Sequence, residues 1–201
     1  MHLQCIGLNH QTAAISIRER LAYRDMDIKI ALSRLGCGHG EDFREISEAV
    51  ILSTCNRVEI YALTSSCAID DLENFLIGER AISKEEINDH LYHLKDEAVV
   101  DHLFRVAAGL DSLVIGEPQI LGQVMHALEL ARGQNTTGRV LSKLFELALR
   151  AGKHVRTETT IGQNPTSIAS VAIHLANQTI PDFASAKILV IGAGEMAEIA
   201  L

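Results

Sequence analysis

The stretch EAVILSTCNRVEIYALT, residues 48–64, holds two apolar, β-branched-rich runs, 48–53 and 58–64, separated by Thr54–Arg57. Runs of this length with a short polar break between them predict two strands joined by a hairpin-like connection. Upstream, LQCIGL (3–8) reads as another strand, followed by the polar loop Asn9–Thr12. Two helical stretches, 16–22 and 25–35, separate that strand from the hairpin; in the second, Ile28, Ala31, Leu32 and Leu35 recur at helical spacing. The segment GCGHG (36–40) is a break. Beyond the hairpin, helices near 70–78 and 83–90 lead to a short strand around Leu91–Leu94. The order β-α-β-β-α-β predicts an α+β domain of the split-βαβ, ferredoxin-like kind.

After about residue 95 the pattern turns helical. Residues 96–108 carry Val99, Leu103, Val106 and Ala107 on one side. Pro118 suits the first turn of a helix, where its missing N–H costs nothing, and that helix runs to about Arg132, before the breaker-rich Gly133–Gly138. Helices over 139–156 and 166–178 follow, the latter with Ser167 and Ser170 near its start. Last, KILVIGAGEMA (187–197) predicts a buried-type strand entering a glycine turn, the opening of a Rossmann-type domain. Such a fold needs several more βα units than remain before Leu201. The expected division is one domain over 1–160, then a connecting helix and the start of a truncated second domain over 161–201.

A chain of 201 residues that is 47% hydrophobic has core enough to fold without disulfides or a structural metal. Cys5, Cys37, Cys55 and Cys67 form no CxxC pair, which suits reduced thiols. Neither a signal peptide nor an apolar run of spanning length is present, so a soluble, cytoplasmic protein without membrane partners is expected. The net charge of −8 disfavours indiscriminate nucleic-acid binding. Between Arg132 and Arg156 the balance reverses: Arg132, Arg139, Lys143, Arg150, Lys153 and Arg156 face a single acid, Glu146. A solvated helix face and a local RNA contact both fit that run.

Cys55 sits at the tip between two apolar strands, a rigid yet open placement that suits a nucleophile. A thiol is only slightly ionised at neutral pH, so it needs a cation or a base; Arg57 is two residues away, and His102 is a candidate base brought in by folding. A lone cysteine in a turn is also compatible with an inert small hydrophobe. In GLDSLVIGEPQILGQV (109–124), Gln119 and Gln123 share a helix face, and Asp111, Ser112 and Glu117 lead into it, a grouping that fits either a polar cleft or a capped, solvated helix. GAGEMA (192–197) follows a strand-like run and fits the pyrophosphate-binding glycine pattern. Cys37 and His39 read as loop residues, and no metal is expected.

GLNHQTA (7–13), VILSTCNRVEIY (50–61), HLFRVAAGLDSLVIGEPQILGQV (102–124), HVRTETTIG (154–162) and VIGAGEMA (190–197) together resemble the glutamyl-tRNA reductase family, in the family's order and over nearly the whole chain. The resemblance implies NADPH-dependent reduction of glutamyl-tRNA to glutamate-1-semialdehyde through a thioester on Cys55, the first step of tetrapyrrole biosynthesis by the five-carbon route. It implies His102 as a second catalytic residue and Thr54, Asn56, Arg57, Ser112, Glu117, Pro118, Gln119 and Gln123 around the substrate, with Arg57 on the glutamate side-chain carboxylate. It implies Gly192, Ala193, Gly194, Glu195, Met196 and Ala197 at the NADPH site, a homodimer for the full-length protein, and the downstream aminomutase as a partner. Two other readings fit some of the same residues: a non-catalytic nucleotide- or partner-binding module, and a Cys–His esterase.

Overall fold

The computed structural model describes residues 1–35, 43, 45–65, 69–80, 82–161, 168–189 and 191. Strand β1 (His2–Asn9) is followed by helices α1 (Ile15–Leu21) and α2 (Asp25–Leu35), then strands β2 (Ile46–Ser53) and β3 (Arg57–Thr64). Helices α3 (Ile69–Arg80) and α4 (Lys84–Ile87), with a 3-10 turn at Asn88–His90, lead to β4 (Tyr92–Lys95). Helices α5 (Glu97–Ala108), α6 (Gln119–Gly133), α7 (Arg139–Glu158) and α8 (Ile168–Thr179) follow. The expected elements from 3 to 178 are therefore present, with ends moved by a few residues. The helix expected over 83–90 is instead split between α4 and the 3-10 turn.

The four strands form one antiparallel sheet in the order β2-β3-β1-β4. β3 is central, and all eight of its residues are buried. A strand covered on both faces loses the inside–outside alternation of a half-buried one. Here it also buries Arg57 and Glu59, which must find partners within the protein. One face of β3 carries Arg57, Glu59 and Tyr61, and Tyr61 meets Phe145 of α7 edge-on, the ring centroids 5.2 Å apart. The other face carries Val58, Ile60 and Ala62, in one continuous core with Leu32 and Leu35 of α2 and Leu72 and Leu76 of α3.

Local chemistry sets several helix ends. Ser83 and Glu86 make a reciprocal capping box at α4. Gly109 closes α5 in the left-handed conformation, φ 77°, where a side chain would be strained. Helix α7 begins after Gly138, which has no side chain to cap it; the Glu48 carboxylate of β2 accepts from the Val140 and Leu141 amides instead, at 3.1 and 2.7 Å. A carboxylate there satisfies orphan N–H groups and meets the positive end of the helix dipole.

The expected strand beginning at Lys187 is not formed by the described residues Lys187–Leu189 and Ile191, which are irregular. Ile188, Leu189 and Ile191 stand open to solvent rather than buried. Strand residues need a neighbouring ladder to satisfy their backbone groups, and these have none among the described residues. No helix among the described residues is long and apolar enough to cross a membrane.

Candidate active site

The hairpin between β2 and β3 is held from three directions. Thr54 Oγ1 accepts from the Asn56 and Arg57 amides, and the Thr54 amide donates to the Arg57 carbonyl. This Thr-turn pins the backbone without help from the strand ladder. The His10 amide donates to the Asn56 carbonyl at 2.9 Å, and Arg18 Nε to the Cys55 carbonyl at 3.3 Å. Asn56 is buried, while Cys55 at the apex is exposed. The thiol is thus presented on a braced loop, as its place between two strands predicts.

Arg57 turns inward. It is 1% exposed, and its guanidinium donates to Glu59 Oε1 at 2.7 Å and to the carbonyl and carboxylate of Asp111. Glu59 is fully buried and gathers four donors: Arg57 and His102 Nε2 (2.9 Å) on Oε1, with the Tyr92 hydroxyl, and the Tyr61 hydroxyl on Oε2. Burial pushes the Glu59 carboxyl up, but Arg57 and then His102 outweigh it and hold the carboxyl at about 2. The same carboxylate, after burial itself, raises the Tyr61 and Tyr92 phenols, so both remain hydroxyl donors. Gly7 stands opposite Glu59 in the β1–β3 register, and a Cβ there would come within 2.7 Å of Glu59 Cγ. The missing side chain is what leaves room for the carboxylate.

His102, on α5, is largely buried and lines a cavity of about 210 Å³ with Asn9, Gln11, Thr12, Tyr92, Leu94 and Asp111. Cys55 is not in that lining; His102 is joined through Glu59 to Arg57, two residues along the hairpin from the thiol. The loop Leu110–Pro118 folds back over Arg57. Within it Ser112 is buried with its Oγ unpartnered among the described residues, as is His10 Nδ1. Glu117 is buried as well; desolvation raises its carboxyl above the usual range despite Arg57 and Arg156. Unsatisfied buried polar atoms around one guanidinium are costly unless something binds there. Arg156 of α7 holds the loop, donating to the carbonyls of Gly116 and Glu117.

Pro118, Gln119 and Gln123 lie elsewhere, in a cavity of about 360 Å³ between α6, α2 and the end of β2, which also includes Ser53, Asp25 and His126. Ser53, the last residue of β2 before the Cys55 hairpin, is the lining residue nearest to Cys55 in the chain. The expected residues therefore fall into four groups: the hairpin, the Ser112–Glu117 loop over Arg57, the α6 cavity, and His102 in the smaller cavity beside Tyr92. Gly192–Ala197 lie outside the described residues, as do Cys37 and His39. Glu59, Tyr61, Tyr92, Asn9, His10 and Arg18 belong to the site but were not singled out as site residues from the sequence. The alternation of Arg57, Glu59 and Tyr61 along one strand face was the available signal for the first two.

A family model described as glutamyl-tRNAGlu reductase, N-terminal domain, matches residues 6–159. Glutamyl-tRNA reductase of Neisseria meningitidis serogroup B is 43% identical over 199 residues, covering 99% of this chain and 46% of that protein. The Thermodesulfovibrio yellowstonii enzyme of the same name is also 43% identical, over 100% of this chain and 48% of its own length. Among solved structures, glutamyl-tRNA reductase from Methanopyrus kandleri superposes with a TM-score of 0.69 at 30% identity, covering 98% of this chain and 45% of that one. The chain thus spans about half the length of the relatives it matches. On these grounds the chain belongs to the glutamyl-tRNA reductase family.

Proposed function

We propose that this chain is the part of a glutamyl-tRNA reductase that binds glutamyl-tRNA and takes the glutamyl group onto Cys55. The observation that carries the reading is an exposed thiol on a braced hairpin, backed by a buried Arg57–Glu59–His102 chain and a loop with unsatisfied polar atoms. The β2-β3-β1-β4 order, with every neighbouring pair antiparallel, supports a ferredoxin-like catalytic domain over 1–160. The irregular stretch after α8 belongs on this reading to the lead-in of an NADPH domain.

The chemistry is an acyl transfer. The Cys55 sulfur attacks the carbonyl carbon of the aminoacyl ester; the C–S bond forms, the C–O bond to the ribose breaks, and the ribose oxygen takes up a proton. An aminoacyl ester is already activated, so positioning supplies much of the rate. His102 is the proton-handling group, its ring fixed by Glu59 as an orienting carboxylate fixes a catalytic histidine. Arg18, whose Nε reaches the Cys55 carbonyl, and the Ser112 hydroxyl are the groups that would receive the glutamate carboxylate; Arg57, expected there from the resemblance, is instead buried and committed to Glu59 and Asp111, and ties the hairpin to the Asp111 loop. Asn56 and Thr54 shape the turn, and Gln119, Gln123 and Pro118 line the neighbouring space for the aminoacyl end of the tRNA. NADPH would supply the hydride that reduces the acyl group to glutamate-1-semialdehyde; Gly192–Ala197, which would hold it, lie outside the described residues. On the same reading the full-length protein is a homodimer that hands its product to the aminomutase, as the resemblance implies.

The test is direct. Incubating the chain with glutamyl-tRNA and measuring its intact mass should reveal a glutamyl adduct that maps to Cys55 and vanishes in Cys55→Ser. An adduct of unchanged yield in Cys55→Ser would end the acyl-transfer reading.

A further inference from the structure

On the sheet face that carries Glu59 and Tyr61, β1, β3 and α5 bring together Cys5, Glu59 and His102, whose donor atoms all lie within 4.8 Å of one another. We infer that these three side chains form a binding site for a thiophilic divalent cation of the Zn²⁺ class.

The donor set is the first ground. A thiolate, an imidazole and a carboxylate are the ligands that tetrahedral zinc selects, whereas Mg²⁺ and Ca²⁺ prefer oxygen alone. Geometry is the second. Zinc bonds of about 2.0–2.3 Å place tetrahedral ligand atoms roughly 3.3–3.8 Å apart. The Glu59–His102 pair at 2.9 Å need open only slightly, and Cys5 need close by about an ångström. Cys5 and Glu59 lie on paired strands, Cys5 opposite Tyr61 and Gly7 opposite Glu59, so their side chains share one face of the sheet.

The surroundings are the third ground. The Tyr61 and Tyr92 hydroxyls and Arg57 already fix the Glu59 carboxylate, the outer-layer support that metal-ligating carboxylates require. Charge closes as well: Arg57 offsets Asp111, and a divalent ion offsets Glu59 and a Cys5 thiolate, leaving a neutral buried cluster. Of the three ligands, His102 also lines the cavity shared with Asn9 and Thr12, so the site is approached from its His102 side. Binding expels the Cys5 thiol proton, and the proton on His102 Nε2 moves to Nδ1. Occupancy also parts His102 from Glu59, so on the acyl-transfer reading a bound ion silences the site; the metal site itself stands independently of that reading.

The experiment uses the whole chain in a Cys37→Ser, Cys67→Ser, Cys55→Ser background, leaving Cys5 as the one thiol. One equivalent of Co²⁺ should produce the strong near-ultraviolet thiolate-to-cobalt absorption, and Zn²⁺ should displace it. Zinc-edge X-ray absorption should count one sulfur among the ligands, a measurement that needs no further variant. Adding Cys5→Ala or Cys5→Ser should abolish the cobalt band and weaken Zn²⁺ binding by tenfold or more, with far-UV circular dichroism confirming the fold. A zinc shell without sulfur, or equal affinity with and without the Cys5 thiol in folded protein, overturns the inference. With Cys55 restored, Zn²⁺ should slow adduct formation only when Cys5 is present; equal inhibition in Cys5→Ala would place the inhibitory ion elsewhere, and no adduct even without metal would count against the acyl-transfer reading alone.

Discussion

At the scale of the residue, Glu59 organises the site. A carboxylate with no solvent exposure is tolerable only because Arg57, His102 and two phenols satisfy it. Glu59→Gln keeps the volume but removes the charge that balances Arg57, and should cost about 3–5 kcal/mol in urea unfolding; a loss under about 1 kcal/mol would show that Asp111 alone suffices for Arg57. The titration has a definite sign. The folded carboxyl, held at about 2, lies below its unfolded value near 4.5, so its contribution is complete above about pH 4.5 and fades as pH falls toward 2. That contribution is on the order of 3 kcal/mol. Stability measured from pH 6 to 2 should fall less steeply in Glu59→Gln than in the parent. Much of this hub was hidden in the sequence. STCNR and GLDSLVIGEP are legible as motifs, because the groups within each act locally, yet Arg57 meets Asp111 across 54 residues and Glu59 meets His102 across 43. Spacing along a chain carries no information about such pairs.

At the scale of the element, the periodicities sufficed for nearly everything up to α8. Helix α7 is readable because Leu141, Leu144, Phe145 and Ala148 repeat along one buried stripe. Its start is not, since the cap comes from Glu48, a strand residue 92 positions away from Val140. Glu48→Ala should strand two helix amides and lower stability by about 2 kcal/mol, whereas an exposed change such as Glu85→Ala should not. Equal melting of Glu48→Ala and parent would mean that water replaces the cap. The α5–α7 contact is set by Gly152, where a Cβ would fall 2.4 Å from the Ala107 carbonyl oxygen. Gly152→Ala gains up to about 1 kcal/mol of helix propensity but forces two backbones apart, for a net loss of about 1–3 kcal/mol. Since α5 carries His102, the same change should slow Cys55 acylation as well as lower the melting temperature. The apolar run from Lys187 reads as a strand, but Lys187–Leu189 and Ile191 pair with no ladder among the described residues, and a strand needs one to satisfy its backbone groups.

At the scale of the whole molecule, an acidic protein must meet a polyanion on the proposed reading. The net charge of −8 sets a repulsive background, so any phosphate contact has to be local. Helix α7 offers one. Glu146, the one acid between Arg139 and Arg156, is engaged by Arg132 at 2.6 Å, while Arg139, Lys143, Arg150 and Lys153 are exposed. Arg156, counted with them from the sequence, is spent on the Gly116 and Glu117 carbonyls and leaves the basic face. Holding the loop over Arg57 from the same helix ties the basic face to the site: a strand of RNA lying along α7 would direct its end toward the Ser112–Glu117 loop. Each phosphate neutralised releases counterions, so affinity should fall with rising salt, with a logarithmic slope that counts the contacts. Removing two of them in Lys143→Ala, Arg150→Ala should flatten that slope by roughly 1.5 and weaken binding to glutamyl-tRNA about tenfold or more at low salt. The thiol should be untouched, so a small activated glutamyl thioester should still acylate Cys55 in the double variant at the parent rate. A salt slope identical to the parent's would place the RNA on another face; a lost reaction with the small ester would mean that the two cations support the site itself rather than the nucleic acid.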